Sequence, residues 1–213
     1  MLTIHHLGIS QSERIIWLCE EYGVPYDLKL YARDPQTRLA PAAYKALHPA
    51  GTAPVITDGD ITLGETGAIF EYILTKYAPG QGVLTPDHPD YADYLYWYHF
   101  VNGSFTPAGM TVMIMDILGE AVPDALKSSL GGRFTNGFDM IEKRLSDVTW
   151  LAGDEFTAAD IMMGFSLSTA RAFFPKDLTP FPAIRAYLKR IGERPAYQRA
   201  MAKGEPDLTP MLE

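Results

Sequence analysis

The apolar positions change period several times over the first 78 residues. Leu2–Leu7 (LTIHHL) and residues 26–31 (YDLKLY) alternate apolar with polar, the mark of half-buried strands. Between them, in SERIIWLCEEYG, Ile15, Ile16, Leu18, Cys19 and Tyr22 fall at helical spacing, and Gly23 can end that helix. A short helix is expected over 40–47. Residues 55–57 and 61–63 are β-rich runs, and Asp58-Gly59 between them is a hairpin signal. Residues 64–78 (GETGAIFEYILTKYA) return to helix. The predicted order is β-α-β-α-β-β-α: a strand pair joined by a helix, then a hairpin and a helix, in one α/β layer.

Residues 79–90 (PGQGVLTPDHPD) hold three prolines and two glycines, the clearest boundary in the chain. Beyond it few segments read as strands. Residues 91–119 form a long, apolar and aromatic helical run, with Pro107 placed to kink or interrupt it. Residues 125–147, 158–171 and 184–194 are shorter helical runs. The expected organisation is an α/β domain over 1–80, a linker over 81–88 and an all-helical bundle over 89–213.

Composition narrows the partners. The chain has 213 residues, a net charge of -8, 47% hydrophobic and 21% charged residues, which suits a globular protein with a sizeable core. The acidic balance argues against nucleic acid or an anionic membrane surface, both of which need a basic footprint. The single cysteine, Cys19, excludes an internal disulfide and fits a reducing compartment; its place on the apolar face of a helix reads as core packing. The opening MLTIHH lacks a basic-then-apolar leader, and no apolar run reaches the ~20 residues of a membrane span, so a cytoplasmic protein is expected. The five histidines show no metal-ligand spacing, and no metal is expected. His5 and His6 alternate in a strand, so one of them should pack inward.

Three motifs in order, SQSERIIWLCEEYGVPYD (10–27), HPAGTAPVI (48–56) running into GETGAI (64–69), and LAGDEFTAADI (151–161), resemble the soluble, cytosolic glutathione transferases of serine type, bacterial or fungal in character. The resemblance covers nearly the whole chain. It implies a thioredoxin-like first domain that binds glutathione, an all-helical second domain with an electrophile pocket, and a homodimer. Glutathione would enter as co-substrate, not as a resident cofactor.

The resemblance distributes roles as follows. Pro54 is implied to follow a cis bond. Proline cannot donate a ladder hydrogen bond, so the strand it precedes is expected at a sheet edge, where Thr52, Ala53 and Pro54 would receive glutathione as an added extended strand. Thr66, at a helix start with free N–H groups, would hold the γ-glutamyl carboxylate, and Glu65 its ammonium. Serine is commoner than threonine at the position of Thr66. The glycine carboxylate has four candidate partners, Arg33, Arg38, Lys45 and His48, because Thr52 stands where lysine is frequent.

Ser10 is implied to donate a hydrogen bond to the glutathione sulfur, with Ser12 as competitor. A free thiol has a pKa of about 8.5 and the thiolate is the nucleophile; a hydroxyl beside a helix N-terminus stabilises that charge. Ser10-x-x-Glu13 is also a capping-box pattern, so Ser10 has a structural role open to it. Trp97, Asn102, Phe105 and Met113 are candidate lining of the electrophile pocket. Thr157-x-x-Asp160 is a second capping box, and the resemblance gives Asp160 a buried structural role. The expected activity is attack of the thiolate on a small hydrophobic electrophile. The alternatives are a glutathione-dependent peroxidase, isomerase or dehalogenase on the same site, or a non-catalytic binding or dimerisation module.

Overall fold

A computed structural model describes residues 1–213. The chain divides into two units, one formed by 1–82 with 192–210, the other by 83–191 with 211–213.

The first unit is built on a four-stranded sheet of β1 (Leu2–Leu7), β2 (Asp27–Tyr31), β3 (Val55–Asp58) and β4 (Ile61–Gly64), in the order β2-β1-β3-β4. β1 and β2 are parallel; β3 runs antiparallel to both β1 and β4. The helices are α1 (Glu13–Tyr22), the short α2 (Ala42–Lys45) and α3 (Thr66–Lys76). α1 stops at Gly23, whose φ of 65° needs a residue without a Cβ penalty. The pleat sends alternate side chains of β1 to opposite faces. Leu7 packs with Tyr44 of α2 and Val55, and His6, on the opposite face, lies beside Ile16 of α1.

The structure corrects the expectation that β3 is an edge. It pairs on both sides, and the edges are β2 and β4. Pro54 is tolerated beside an inner strand because pairing with β1 ends at His5–Val55 and with β4 at Gly64–Val55, one residue after the proline.

A helix that the apolar pattern left unread, α9 (Pro195–Gly204), groups with the first unit, although residues from 89 onward were expected in the helical bundle. Trp17 and Tyr197 meet edge to face at 5.0 Å, and Arg194 pairs with Glu21, Arg199 and Lys203 with Glu20. α9 therefore covers α1.

The second unit is helical: α4 (Tyr91–Phe100), α5 (Thr106–Leu118), α6 (Asp124–Asp147), α7 (Ala158–Leu167) and α8 (Pro182–Gly192). Between α4 and α5 the chain widens into a π-helical turn, Val101–Phe105, just before Pro107. Pro107 lies in the first turn of α5 directly after this widening, with no N–H to donate to the turn before it. Phe105 stacks against Phe100 and packs with Phe134 and Phe138, with Gly137 leaving room for its ring. Asp160 is fully buried and holds together the start of α7. It accepts from the N–H groups of Leu151 and Thr157, both at 2.9 Å, and from the Tyr187 hydroxyl at 3.0 Å, while the Thr157 hydroxyl accepts from Ala159 N–H.

Candidate active site

The turn from β1 into α1 carries both serines. Ser12, not Ser10, is the residue preceding the first turn of α1, and its side chain makes no cap bond; the capping-box reading of Ser10 and Glu13 is not realised. Ser10 Oγ instead accepts from Ser12 N–H at 3.3 Å and lies 2.7 Å from Ser12 Oγ. Ser12 Oγ is wholly buried, accepts from Leu7 N–H at 3.2 Å and lies 2.9 Å from His6 Nδ1. His6 Nε2 in turn lies 3.0 Å from Glu205 Oε1, just beyond α9. The four side chains Ser10, Ser12, His6 and Glu205 form one buried hydrogen-bonded chain.

The loop carrying Ser10 is fixed from two further sides. Glu205 also accepts from Ile9 N–H, at a residue with φ of 51°. Arg33 donates to the carbonyls of Gly8 (2.8 Å) and Ile9 (3.0 Å) and to that of Arg38 (2.9 Å). Its guanidinium is thus engaged with three backbone carbonyls. Burial, then the neighbouring Arg38, lowers its pKa, while Glu205 opposes the shift. Of the other candidates, Lys45 is exposed and its stem lies against Gly51, and the His48 ring packs against Gly64.

A second loop brings in Thr52, Ala53 and Pro54. Thr52 is exposed, and the Ala53–Pro54 bond is cis. Ala53 lies beyond the terminal β1–β3 pair, so its backbone is not part of the sheet ladder.

The third piece is the start of α3. Glu65 precedes it with φ of 67° and ψ of 119°, a strained geometry for a residue with a Cβ, and its side chain is exposed and makes no cap bond. Thr66, the first helical residue, is buried, and its hydroxyl donates to Gln11 Oε1 at 3.3 Å. Gln11 Oε1 also accepts from Arg14 at 3.2 Å. Burial pushes the Arg14 guanidinium down to about 9, an effect that adjacent Glu13 opposes. Gln11 thereby ties the serine loop to the α3 N-terminus. Neither Gln11 nor Glu205 was distinguished by the sequence pattern, and His6 was legible only as a packed strand residue.

Four predicted pocket residues lie in the helical unit. A cavity of about 410 Å³ there is lined by Phe100, Ser104, Phe105, Thr111, Arg133 and Asn136 among others. Phe105 is the one predicted residue that lines it. Trp97 is buried against Tyr96 and Phe100, and Asn102 and Met113 are half-buried.

A thioredoxin-like sheet with a serine at the β1–α1 turn, a cis-proline loop and a helix N-terminus, followed by a helical unit, defines a class that comparisons with known proteins make specific. Residues 10–76 match the glutathione S-transferase N-terminal domain and residues 104–195 the glutathione S-transferase C-terminal domain. The chain is 31% identical over 218 residues to glutathione S-transferase 3 of Schizosaccharomyces pombe, spanning 96% of this chain and 88% of that one. It is 30% identical over 227 residues to glutathione S-transferase 1 of Saccharomyces cerevisiae, 95% of each chain. A crystal structure of a glutathione S-transferase from Actinobacillus pleuropneumoniae superposes with a TM-score of 0.87 at 32% identity, over 96% of this chain and 93% of that one. A sphingomonad glutathione S-transferase complexed with glutathione shares the fold, with a TM-score of 0.74 at 22% identity over 95% and 98% of the two chains. The chain belongs to the glutathione S-transferase family.

Proposed function

We propose that the chain conjugates glutathione to a small hydrophobic electrophile, and that the first unit binds and ionises the tripeptide. Glutathione lies extended along Ala53, with Thr52 and Pro54 beside it, as an added strand. Thr66 and the first-turn N–H groups of α3 take the γ-glutamyl carboxylate, and Glu65 takes the ammonium. Ser10 donates to the sulfur. The observation that carries this reading is the Gln11–Thr66 hydrogen bond, which joins the serine loop to the helix start that takes the carboxylate.

The magnitude is adequate. A hydrogen bond to a charged group contributes ~1.5–3 kcal/mol, and one pKa unit is about 1.4 kcal/mol. Ser10 alone therefore lowers a thiol pKa by one to two units, from about 8.5 to near neutrality.

Phe105 and the cavity beside it, with Trp97, Asn102 and Met113, are our proposal for the apolar surroundings of the electrophile. Met110, Ile114, Ile117 and Leu118 are exposed on one face of α5; their spacing supports a homodimer in which a second copy covers them, testable by sedimentation equilibrium. No helix is long and apolar enough to cross a membrane, and the lone cysteine supports a cytoplasmic location.

The test is titration calorimetry with glutathione for the natural chain and Ser10→Ala, with the ultraviolet thiolate absorbance followed against pH. The natural chain should bind and ionise glutathione near neutral pH, and the variant should bind but require a pH about one to two units higher. Equal ionisation in both would remove Ser10 from the role; absence of binding by the natural chain would refute the transferase reading.

A further inference from the structure

The chain of three side chains behind Ser10, namely Ser12, His6 and Glu205, has a direction, and that direction decides whether Ser10 has a hydrogen to give. Ser12 Oγ has one hydrogen and two lone pairs. One lone pair is taken by Leu7 N–H at 3.2 Å. What remains must serve His6 Nδ1 at 2.9 Å and Ser10 Oγ at 2.7 Å; the Leu7 carbonyl, at 3.5 Å, is the weakest competitor.

Two arrangements fill these positions. If Nδ1 is bare, Ser12 donates to it, and the free lone pair of Ser12 accepts the Ser10 hydrogen. Ser10 then has nothing to offer a sulfur. If Nδ1 carries a hydrogen, it fills the second lone pair of Ser12. Ser12 then donates to Ser10 Oγ, which already accepts Ser12 N–H, and the Ser10 hydrogen is left for an outside acceptor. The second arrangement requires the Glu205–His6 pair to hold one more proton than the first.

A carboxylate stands where that proton would find a partner. Glu205 is buried, 3.0 Å from Nε2, and its Oε1 also accepts Ile9 N–H. With the carboxylate there, Nε2 must carry hydrogen, and a second hydrogen on Nδ1 makes an imidazolium paired with that carboxylate. Arg33 is occupied with the Gly8 and Ile9 carbonyls, and its positive charge, which interacts with Glu205, works against that proton.

We propose that Glu205 and His6 are positioning residues that act through Ser12 to turn the Ser10 hydroxyl hydrogen toward the glutathione sulfur. The proposal rests on the reading of Ser10 as the thiol donor, and the experiment separates the two.

The experiment follows thiolate absorbance of bound glutathione against pH, with affinity from calorimetry, in the full chain and four variants: Ser10→Ala, Glu205→Gln, His6→Asn and His6→Gln. Glutamine at 205 still accepts from Ile9 and His6 but lacks the charge that holds the imidazolium. It should raise the pKa of the bound thiol by about one unit, a tenfold loss of thiolate below that pKa, and leave the affinity for glutathione unchanged at pH values where the bound thiol stays protonated. The two His6 variants discriminate independently should Glu205→Gln not fold. The short asparagine amide places an N–H near Nδ1, where it donates to Ser12; the longer glutamine amide reaches the Nε2 position and leaves Ser12 without that donor. Ionisation should survive in His6→Asn and be lost in His6→Gln, whereas a merely structural strap between His6 and Glu205 would favour glutamine. Normal ionisation in Glu205→Gln while Ser10→Ala loses it overturns the proposal, as does the reverse order of the two His6 variants. Normal ionisation in Ser10→Ala overturns the underlying reading and this proposal with it.

Discussion

Removing the Asp160 carboxylate strands several donors at once. In Asp160→Ala the N–H groups of Leu151 and Thr157 lose their acceptor, and the Thr157 hydroxyl loses a longer bond at 3.3 Å. The Tyr187 hydroxyl keeps the Asp160 carbonyl at 3.4 Å and is not orphaned. The two stranded backbone donors cost ~2–6 kcal/mol, and the lost hydroxyl bond, cap and small void add ~1 kcal/mol. An opposing effect enters through charge. Burial pushes the Asp160 carboxyl up to about 6 from 3.8, against the pull of the Leu151, Thr157 and Tyr187 donors. A carboxyl whose folded pKa lies above its unfolded value contributes most below about pH 4 and loses that contribution as pH rises through about 6. Two units amount to ~3 kcal/mol. The variant should therefore be less stable by ~4 kcal/mol near pH 4.5, where about a third of the charge effect is already lost, and by ~2 kcal/mol near pH 7.5. At ~2–4 °C per kcal/mol for a chain of this size, melting falls by ~8–16 °C at the lower pH and ~4–8 °C at the higher. Calorimetric melts at both pH values test the numbers, and glutathione titration well below the melting range tests the role. A gap that widens from pH 4.5 to 7.5 would refute the charge argument. Lost glutathione affinity without lost stability would refute the structural assignment.

Three further outcomes are expected. Asp58 receives Lys76 at 2.7 Å, with the Tyr77 and Tyr72 hydroxyls beside it, which hold its carboxyl well below the usual range; this stability is present above about pH 4 and lost as pH falls further, so Asp58→Asn should flatten the acid limb of melting temperature against pH, and an unchanged limb would contradict the assignment. A Cβ on Gly137 would lie 2.6 Å from the Phe105 ring, so Gly137→Ala should cost ~1–3 kcal/mol in urea unfolding, and an unaltered midpoint would show that the aromatic cluster yields freely. Cys19 is wholly buried, and burial pushes its thiol far up; a thiol reagent should label none of the native chain and one site per chain in denaturant, while rapid native labelling would contradict the packing of α1.

Local patterns carried most of the first sheet. Alternation in LTIHHL and the Asp58-Gly59 turn are short-range signals, and both strands and turn stand where those signals lie. Where a residue's role depended on a distant segment, the pattern was silent or misleading. Pro54 suggested an edge strand, yet the relevant fact is where the β1–β3 register ends. Ser10 and Glu13 had capping-box spacing, yet the helix begins two residues later than that spacing requires, because the Ser10 hydroxyl is engaged with Ser12. Arg33 looked like a free cation for a carboxylate, but three carbonyls use it. Glu205 carried no signal at all: it is separated by 199 residues from His6. Thr157 and Asp160 were legible because both partners of a capping box lie within one turn.

The first unit is discontinuous along the chain, and this bears on the order of its completion. β1 to α3 leave the ribosome early, but α9 and Glu205 follow only after the whole helical unit has been synthesised. Until then Trp17 and Ile16 lack their cover, and the Ile9 N–H lacks its acceptor. The glutathione-binding unit is thus completed only after the helical unit has been synthesised, and a premature stop between residues 114 and 191 would release a chain with every proposed ligand-binding residue present and the loop that presents Ser10 held by Arg33 but not by Glu205.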